Sequence, residues 1–143
     1  MTYPAPLPGL VIRYSFLWSH EAKAGAREGR KDRPCAIVVA VPRDSLGDTR
    51  VVVVPITHTA PRDPETAIAL PRPVKAMLGL DTGPSWVRLD ELNVFSWPGY
   101  DLRTVPGSDR IDYGPLPRAL FERIRDGVAA LHKARRAALL KRD

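Results

Sequence analysis

The sequence predicts a small α+β protein in which several short strands form a partly closed antiparallel barrel and a helix follows them. Short apolar segments alternate with polar turns, and the chain carries 15 prolines, about twice the usual share. Proline ends strands and favours tight loops. From Pro115 onward the apolar residues recur at helical spacing instead. Short strands followed by one helix are typical of a small barrel with an added helix.

The strands are identified by β-branched and aromatic residues between turn residues. Two continuously apolar segments, 34–41 and 49–56, favour strands buried on both faces. The turn residues 42–48 between them predict an antiparallel hairpin. A bulge is expected to interrupt the last strand. The predicted strands are residues 9–18, 34–41, 49–56, 67–70 and 85–95.

The main helix is expected at 116–140, because Leu120, Ile124 and Val128 recur every four residues. Gly127 in its middle lowers helix stability by about 1 kcal/mol relative to alanine. Single helical turns are expected within 20–28 and 74–78, and irregular structure is expected at 96–114.

Composition limits the class of protein. The 143 residues suit one domain, predicted to span 1–143. A single cysteine, Cys35, excludes an internal disulfide framework and a cysteine metal cluster. We expect a cytoplasmic location and no membrane partner, because the sequence shows neither a secretion signal nor a long apolar span. The formal net charge of +6 favours polyanionic partners.

Three motifs stand at the ends of predicted strands. Every residue of 27–33 except Gly29 is charged, and an Arg-Pro pair then opens the buried strand 34–41. The next strand ends in proline, an aliphatic residue and threonine, and an arginine–x–aspartate pair lies in the last strand. The three motifs are Glu28 with Arg33-Pro34, Pro55-Ile56-Thr57, and Arg88 with Asp90.

In this order and spacing the motifs resemble the MazF/PemK family of toxin endoribonucleases, the mRNA interferases of type II toxin–antitoxin systems. The resemblance covers a core of 9–103. It implies an SH3-like antiparallel barrel of the CcdB/MazF type with a C-terminal helix. It also implies a homodimer with RNA in a groove across the interface, and a cognate antitoxin whose acidic tail fills that groove.

The resemblance implies cleavage of single-stranded RNA without a metal or other cofactor, which would inhibit translation and growth. The 2′-OH attacks the neighbouring phosphate and leaves a 2′,3′-cyclic phosphate and a free 5′-OH. The reaction needs a base, an acid and fixed positive charge on the phosphate oxygens.

The resemblance assigns these roles to motif residues. Arg33 and Arg88 suit the phosphate, because a guanidinium matches two oxygens and stays charged. The Thr57 hydroxyl can bond a phosphate oxygen, and Glu28 or Asp90 can act as the base. An arginine or His58 can act as the acid. The candidate substrate-binding residues are Arg30, Lys31, Trp86 and Trp97, with Trp18 and Tyr100 as further stacking platforms.

The chain departs from the family pattern at several positions. Its first loop is longer, and Arg27 stands where some members have a histidine beside the loop glutamate, whereas His20-Glu21 offers a rival pair. Glu91 replaces the usual glutamine, and His58 replaces a small polar residue. An alternative function is therefore a non-catalytic nucleic-acid-binding or regulatory protein. A gyrase-poisoning toxin fits less well, because the chain ends in Leu-Leu-Lys-Arg-Asp without a nearby tryptophan.

Overall fold

The computed structural model describes residues 3–143, which contain eight strands and three α-helices in the described part of the chain. The elements in chain order are β1 (Leu10–Ser15), α1 (Ser19–Lys23), β2 (Asp32–Arg43), β3 (Asp48–Thr57), a 3₁₀ turn (Pro64–Thr66), β4 (Ala67–Ala69), α2 (Arg72–Leu78), β5 (Trp86–Arg88), β6 (Glu91–Ser96), β7 (Asp112–Pro115), α3 (Arg118–Lys133) and β8 (Ala138–Lys141).

The strands form one curled, mostly antiparallel sheet that closes halfway into a barrel. Its order is β4-β5-β3-β2-β1-β7, and β6 pairs with both β3 and β8. The long strand β3 has β2 on one side, whereas its other side pairs first with β6 and then, at Ile56 and Thr57, with β5. The sheet divides along this strand, which places the end of β3 beside both β2 and β5. The prediction of a small α+β protein is confirmed.

The two faces of the sheet carry separate apolar clusters. On one face, Val54 and Ile56 pack with the apolar stripe of α3. On the other face, Val51 and Val53 belong to a second cluster that also contains aromatic residues. The apolar residues of α3 in the first cluster are Leu120, Ile124, Val128 and Leu131.

Gly127 lets α3 approach the sheet closely. A Cβ at this position would lie 2.7 Å from a methyl carbon of Leu89. The glycine that weakens the helix locally therefore permits the tight helix–sheet contact, because side chains in a core leave no room for an added methyl group.

The predicted hairpin forms, with Cys35 opposite Pro55. The expectation that its first strand is buried on both faces holds only for Cys35–Val38. Beyond a register shift after Ile37, the hairpin extends past the core, so Val39 and Val41 are exposed. The interruption predicted in the last strand separates β5 from β6, and α1 and α2 contain the two predicted helical turns.

The prediction of a helix to residue 140 is wrong. Helix α3 ends at Lys133, and the chain then forms β8, which pairs in parallel with β6. The guanidinium of Arg142 fixes this end by donating to the carbonyl of Ser15 at 2.7 Å and to Oδ1 of Asn93 at 2.8 Å. Similarly, the segment 96–114 predicted as irregular includes the start of β7, which pairs with β1. Both strands are stabilised by distant partners, so local periodicity does not reveal them.

Within residues 3–143, no helix combines the length and the apolar character that crossing a bilayer requires.

Candidate functional site

Two depressions lie side by side on the surface and share a wall of Lys31, Arg33, Thr57 and Thr59. The cationic depression, about 510 Å³, adds Trp18, His20, Glu21, Arg30, Arg88 and Glu91 to that wall. The histidine depression, about 450 Å³, adds His58, Asp81, Ser85 and Tyr113 among others.

Strand pairing brings the predicted site residues together. Cys35 lies opposite Pro55 in the β2–β3 hairpin, and continuing that register places Arg33 opposite Thr57. Thr57 also pairs with Trp86 on the far side of β3, so β5 carries Arg88 to the same end of the sheet. Three adjacent strands therefore each contribute one side chain to the cationic depression.

Arg88 is oriented by Asp90, which lies in the bend directly after β5. Its Nε and Nη2 donate to the two carboxylate oxygens of Asp90, each at 2.9 Å. This bidentate pair fixes the plane of the guanidinium. The Nη1 group has no hydrogen-bond partner among the described residues and remains able to bind an anion. Asp90 itself does not line either depression.

Arg33 and Thr57 both keep unused donors. The Nε of Arg33 is buried without a hydrogen-bond partner among the described residues. The Thr57 hydroxyl is buried and accepts the Thr59 N–H at 3.2 Å, so its own proton is available to an acceptor. A buried donor without a partner is costly. Since Nε itself is covered, an anion in the depression would contact Arg33 through the part of its guanidinium that lines this surface.

The two carboxylates of the cationic depression bond to the first loop and not to its cations. Glu21 accepts the backbone N–H groups of Trp18 at 3.0 Å and Arg30 at 3.1 Å. Glu91 accepts the N–H and the hydroxyl of Ser19, each at 2.7 Å. These bonds fix α1 and the charged loop against the sheet. They leave the positive charges of Arg30, Lys31, Arg33 and Arg88 without a carboxylate partner inside the depression.

A closed network of charges connects His58, Asp81 and Ser85 of the histidine depression to the buried Lys75, which does not itself line that depression. Lys75, with 5% of its side chain exposed, donates to Asp81 at 2.8 Å, to Ser85 at 2.7 Å and to the Gly83 carbonyl. The hydrogen bond from Lys75 is the main cause that lowers the pKa of Asp81 below its ordinary value. His58 places Nε2 at 2.8 Å from the other oxygen of Asp81.

The second nitrogen of the same imidazole, Nδ1 of His58, lies 3.0 Å from the Pro84 carbonyl. The two acceptors, this carbonyl and the Asp81 carboxylate, are satisfied together only when both ring nitrogens carry a proton. The ring therefore has to leave one of these partners before it can donate to a substrate.

The remaining predicted residues lie elsewhere. Glu28 is exposed and lines neither depression. Trp86 lines a separate small cavity beside Leu70. Trp97 packs against Phe95 with ring centroids 6.2 Å apart. Their proposed roles stay predictions, whereas Arg30 and Lys31 share the cationic depression with Arg33 as expected.

The sequence did not predict where two further residues of the cationic depression lie. Trp18 contacts both guanidinium groups, with its ring centroid 5.2 Å from Cζ of Arg33 and 5.5 Å from Cζ of Arg88. His20 stacks on Trp18, with a centroid distance of 6.2 Å. The available signal was an aromatic residue at the end of the first strand, followed directly by a His-Glu pair.

Among the described residues we find neither a metal-binding cluster nor a reactive thiol. No group of three or more His, Cys, Asp or Glu side chains in 3–143 is arranged to hold a metal ion. Cys35 is buried, and this burial raises the pKa of its thiol. It is therefore a packing residue and not a nucleophile at neutral pH.

Comparison with known proteins assigns no family to the chain. No protein-family model matches the sequence, and no curated protein gives a significant match. The geometry of the cationic depression is therefore the observation that bears on function. It combines two oriented guanidinium groups, a buried hydroxyl and further cations on one concave surface.

Proposed function

We propose that this protein is a metal-independent endoribonuclease toxin that cleaves single-stranded RNA to 2′,3′-cyclic phosphate and 5′-OH ends. One observation carries the proposal: Arg33, Thr57 and Arg88 meet in the cationic depression, each from a different neighbouring strand. Their remaining donors suit the oxygens of one phosphodiester. The sequence motifs of a MazF/PemK-like toxin contain these same three residues.

The scissile phosphate would bind between the two arginines. The guanidinium of Arg33, where it lines the depression, and Nη1 of Arg88 would supply charged N–H donors, and Thr57 would supply a hydroxyl. When the 2′-OH attacks, negative charge accumulates on the phosphate oxygens. Donors that are already oriented stabilise that charge without reorganising. The same donors bind the ground state more weakly, which is the condition for catalysis.

We assign proton transfer to two histidines, one on each side of the shared wall. In-line attack requires a base near the 2′-OH and an acid near the 5′-oxygen on the opposite side of the phosphate. His20 lies in the cationic depression, and its ring has no hydrogen-bond partner among the described residues. Asp90 is a weaker candidate, since both its oxygens hold Arg88. His58 lies across the wall and would act as the acid after releasing Asp81.

The proposed partners come from the family resemblance, and the charges of the cationic depression agree with them. An RNA strand would run along both depressions, and a second copy of the chain would extend the groove as a homodimer. An antitoxin with an extended acidic segment would compete with RNA for Arg30, Lys31, Arg33 and Arg88. The proposal places this toxin and its partner in the cytoplasm.

The test is incubation of purified protein with single-stranded RNA in EDTA, with the new ends identified by mass spectrometry. We expect 2′,3′-cyclic phosphates from the wild type and strongly reduced cleavage by Arg33→Ala and Thr57→Ala. Arg123→Ala is the matched control, since Arg123 is exposed on α3, away from both depressions. Undiminished activity in both site variants would remove these residues from the mechanism.

A non-catalytic RNA-binding protein is the second candidate. It is favoured by the placement of the two predicted carboxylate bases, because Glu28 lies outside the site and Asp90 is committed to Arg88. Tight RNA binding that depends on Arg33 but yields no cyclic phosphate would support this alternative and reject catalysis.

A further inference from the structure

We propose that Trp18 is a positioning residue that holds the guanidinium groups of Arg33 and Arg88 in place before a phosphate binds. The inference rests on the proposed function for its kinetic consequences. The contact itself is tested separately.

The first observation is that the indole ring of Trp18 contacts two guanidinium groups. Cζ of Arg33 lies 5.2 Å and Cζ of Arg88 lies 5.5 Å from the Trp18 ring centroid, both within the range of cation–π attraction. Two guanidinium groups gathered around one phosphate site repel each other when the phosphate is absent. The negative face of an indole offsets that repulsion without adding a formal charge.

The second observation concerns which donors remain usable. A carboxylate holds an arginine by occupying its N–H groups, as Asp48 does for Nε and Nη2 of Arg43 and Asp90 does for the same groups of Arg88, which leaves only Nη1 of Arg88 unbonded. An aromatic ring contacts the guanidinium through its π face, so the N–H groups in the guanidinium plane stay available. Arg33 is held in this second way, and its buried Nε has no hydrogen-bond partner in the described chain.

The third observation is that Trp18 is itself firmly placed. Phe16 meets it edge to face at 5.5 Å, and His20 stacks on it. Its backbone N–H donates to the buried carboxylate of Glu21, and Glu91 holds the next residue, Ser19. The ring therefore connects the core cluster that contains Phe16 to the cationic depression.

The contact is tested by NMR of the arginine side chains, without any reaction. In the wild type, the ring current of Trp18 should shift the Nε–H signals of Arg33 and Arg88, whereas that of Arg43 serves as an internal reference. In Trp18→Leu both shifts should vanish, and titration with inorganic phosphate should show weaker binding. Unchanged Arg33 and Arg88 signals in Trp18→Leu would overturn the proposal.

The kinetic test uses fluorinated tryptophan, which weakens the quadrupole with little change in size. A Trp86→Phe, Trp97→Phe background leaves Trp18 as the labelled residue. We expect kcat/KM for RNA to fall with each added fluorine, mainly through kcat, and to fall about 30-fold in Trp18→Leu, with partial recovery in Trp18→Phe. The same fluorination in a Trp18→Phe chain that retains Trp86 and Trp97 is the control and should have no such trend.

The outcomes distinguish a failure of the positioning role of Trp18 from a failure of the nuclease proposal. If Arg33→Ala is inactive while fluorination leaves kcat unchanged, the positioning role fails and the nuclease proposal stands. If the wild type does not cleave RNA but the ring-current shifts are present and Trp18→Leu weakens phosphate binding, the nuclease proposal fails and the positioning role stands. If the fluorine effect disappears with a substrate lacking the base beside the cleaved bond, Trp18 stacks on that base, which overturns the inference.

Discussion

The two neighbouring depressions contain similar residue types but use their charges differently. In the cationic depression, the carboxylates of Glu21 and Glu91 bond to backbone N–H groups and to a serine, so the arginines keep free donors. At the histidine depression, by contrast, the carboxylate of Asp81 bonds to both His58 and the buried Lys75. We infer from this comparison that the bonding of the acidic groups, and not the number of cations, determines which of the two surfaces is suited to an anion.

The contrast is clearest between Lys75 and Arg33, one cation from each network. Lys75 places all three of its N–H donors on nearby oxygens and stabilises the segment between α2 and β5. Arg33 leaves a buried Nε without a partner in the described chain. An unsatisfied buried donor costs on the order of 1–3 kcal/mol. Lys75 is therefore placed to stabilise the fold, whereas for Arg33 we propose a ligand-binding role.

The largest expected effect separates these two residues by activity. Arg33→Ala should lower kcat/KM for single-stranded RNA by about 1,000-fold, because it removes a charged donor to the transition state. Lys75→Met should change the same constant less than about 2-fold, since Lys75 has no donor left for the substrate. Measuring initial cleavage rates with Arg123→Ala as a control checks this. Equal losses in both variants would break the distinction between the depressions.

The free energy of unfolding should respond in the reverse order, with the larger change in Lys75→Met and the smaller change in Arg33→Ala. Lys75→Met is expected to lower the free energy of unfolding by about 2 kcal/mol, because three hydrogen bonds from a buried charge are lost. Arg33→Ala should change it by less than about 0.5 kcal/mol or raise it, because an unsatisfied donor disappears. Urea unfolding followed by tryptophan fluorescence gives both values. A destabilisation by Arg33→Ala as large as that by Lys75→Met would mean that Arg33 is structural.

Salt dependence sharpens the comparison further. The slope of log K against log salt for binding a 2′-O-methylated RNA should become shallower by about 0.7 in Arg33→Ala and again in Arg88→Ala. Lys75→Met should leave the slope unchanged. Fluorescence anisotropy at several salt concentrations measures it. A slope that is the same in the wild type and both arginine variants would place the phosphate contacts elsewhere.

The smallest expected effect is on the pH dependence of the unfolding free energy. The hydrogen bond from Lys75 lowers the pKa of Asp81 below 3.8, its ordinary value in the unfolded chain. The resulting stabilisation is therefore complete above that value and is lost as the pH falls through the lower, folded-state pKa. The unfolding free energy of the wild type minus that of Asp81→Asn should be constant from pH 5 to about pH 4 and then shrink. A difference that instead grew on acidification would contradict the ion pair.

The sequence predicted the elements whose signals are local. The hairpin of β2 and β3 follows from two apolar runs around a turn, and the stripe of Leu120, Ile124 and Val128 predicts α3. The strand β8 was missed, because its residues continue the helical composition and become a strand only by pairing with β6. Long-range pairing of this kind leaves no periodicity in the sequence.

The site was predictable to a similar extent. Motifs at strand ends indicated Arg33, Thr57 and Arg88, and strand register brings these three together. The contact of Trp18 with both arginines could not be predicted, since it depends on how the first loop folds back over the sheet. The network of Lys75 and Asp81 was missed for the same reason: two residues on different segments meet only in the folded chain.

The central claim is that Arg33 and Arg88 hold one phosphodiester of a single-stranded RNA. The most direct measurement is an NMR titration of the arginine Nε–H signals with a short 2′-O-methylated RNA, which binds but cannot be cleaved. The account predicts saturable shifts of the Arg33 and Arg88 signals at one common affinity, with the Arg43 signal unmoved because Arg43 lines neither depression. RNA binding that leaves the Arg33 and Arg88 signals unchanged would contradict it.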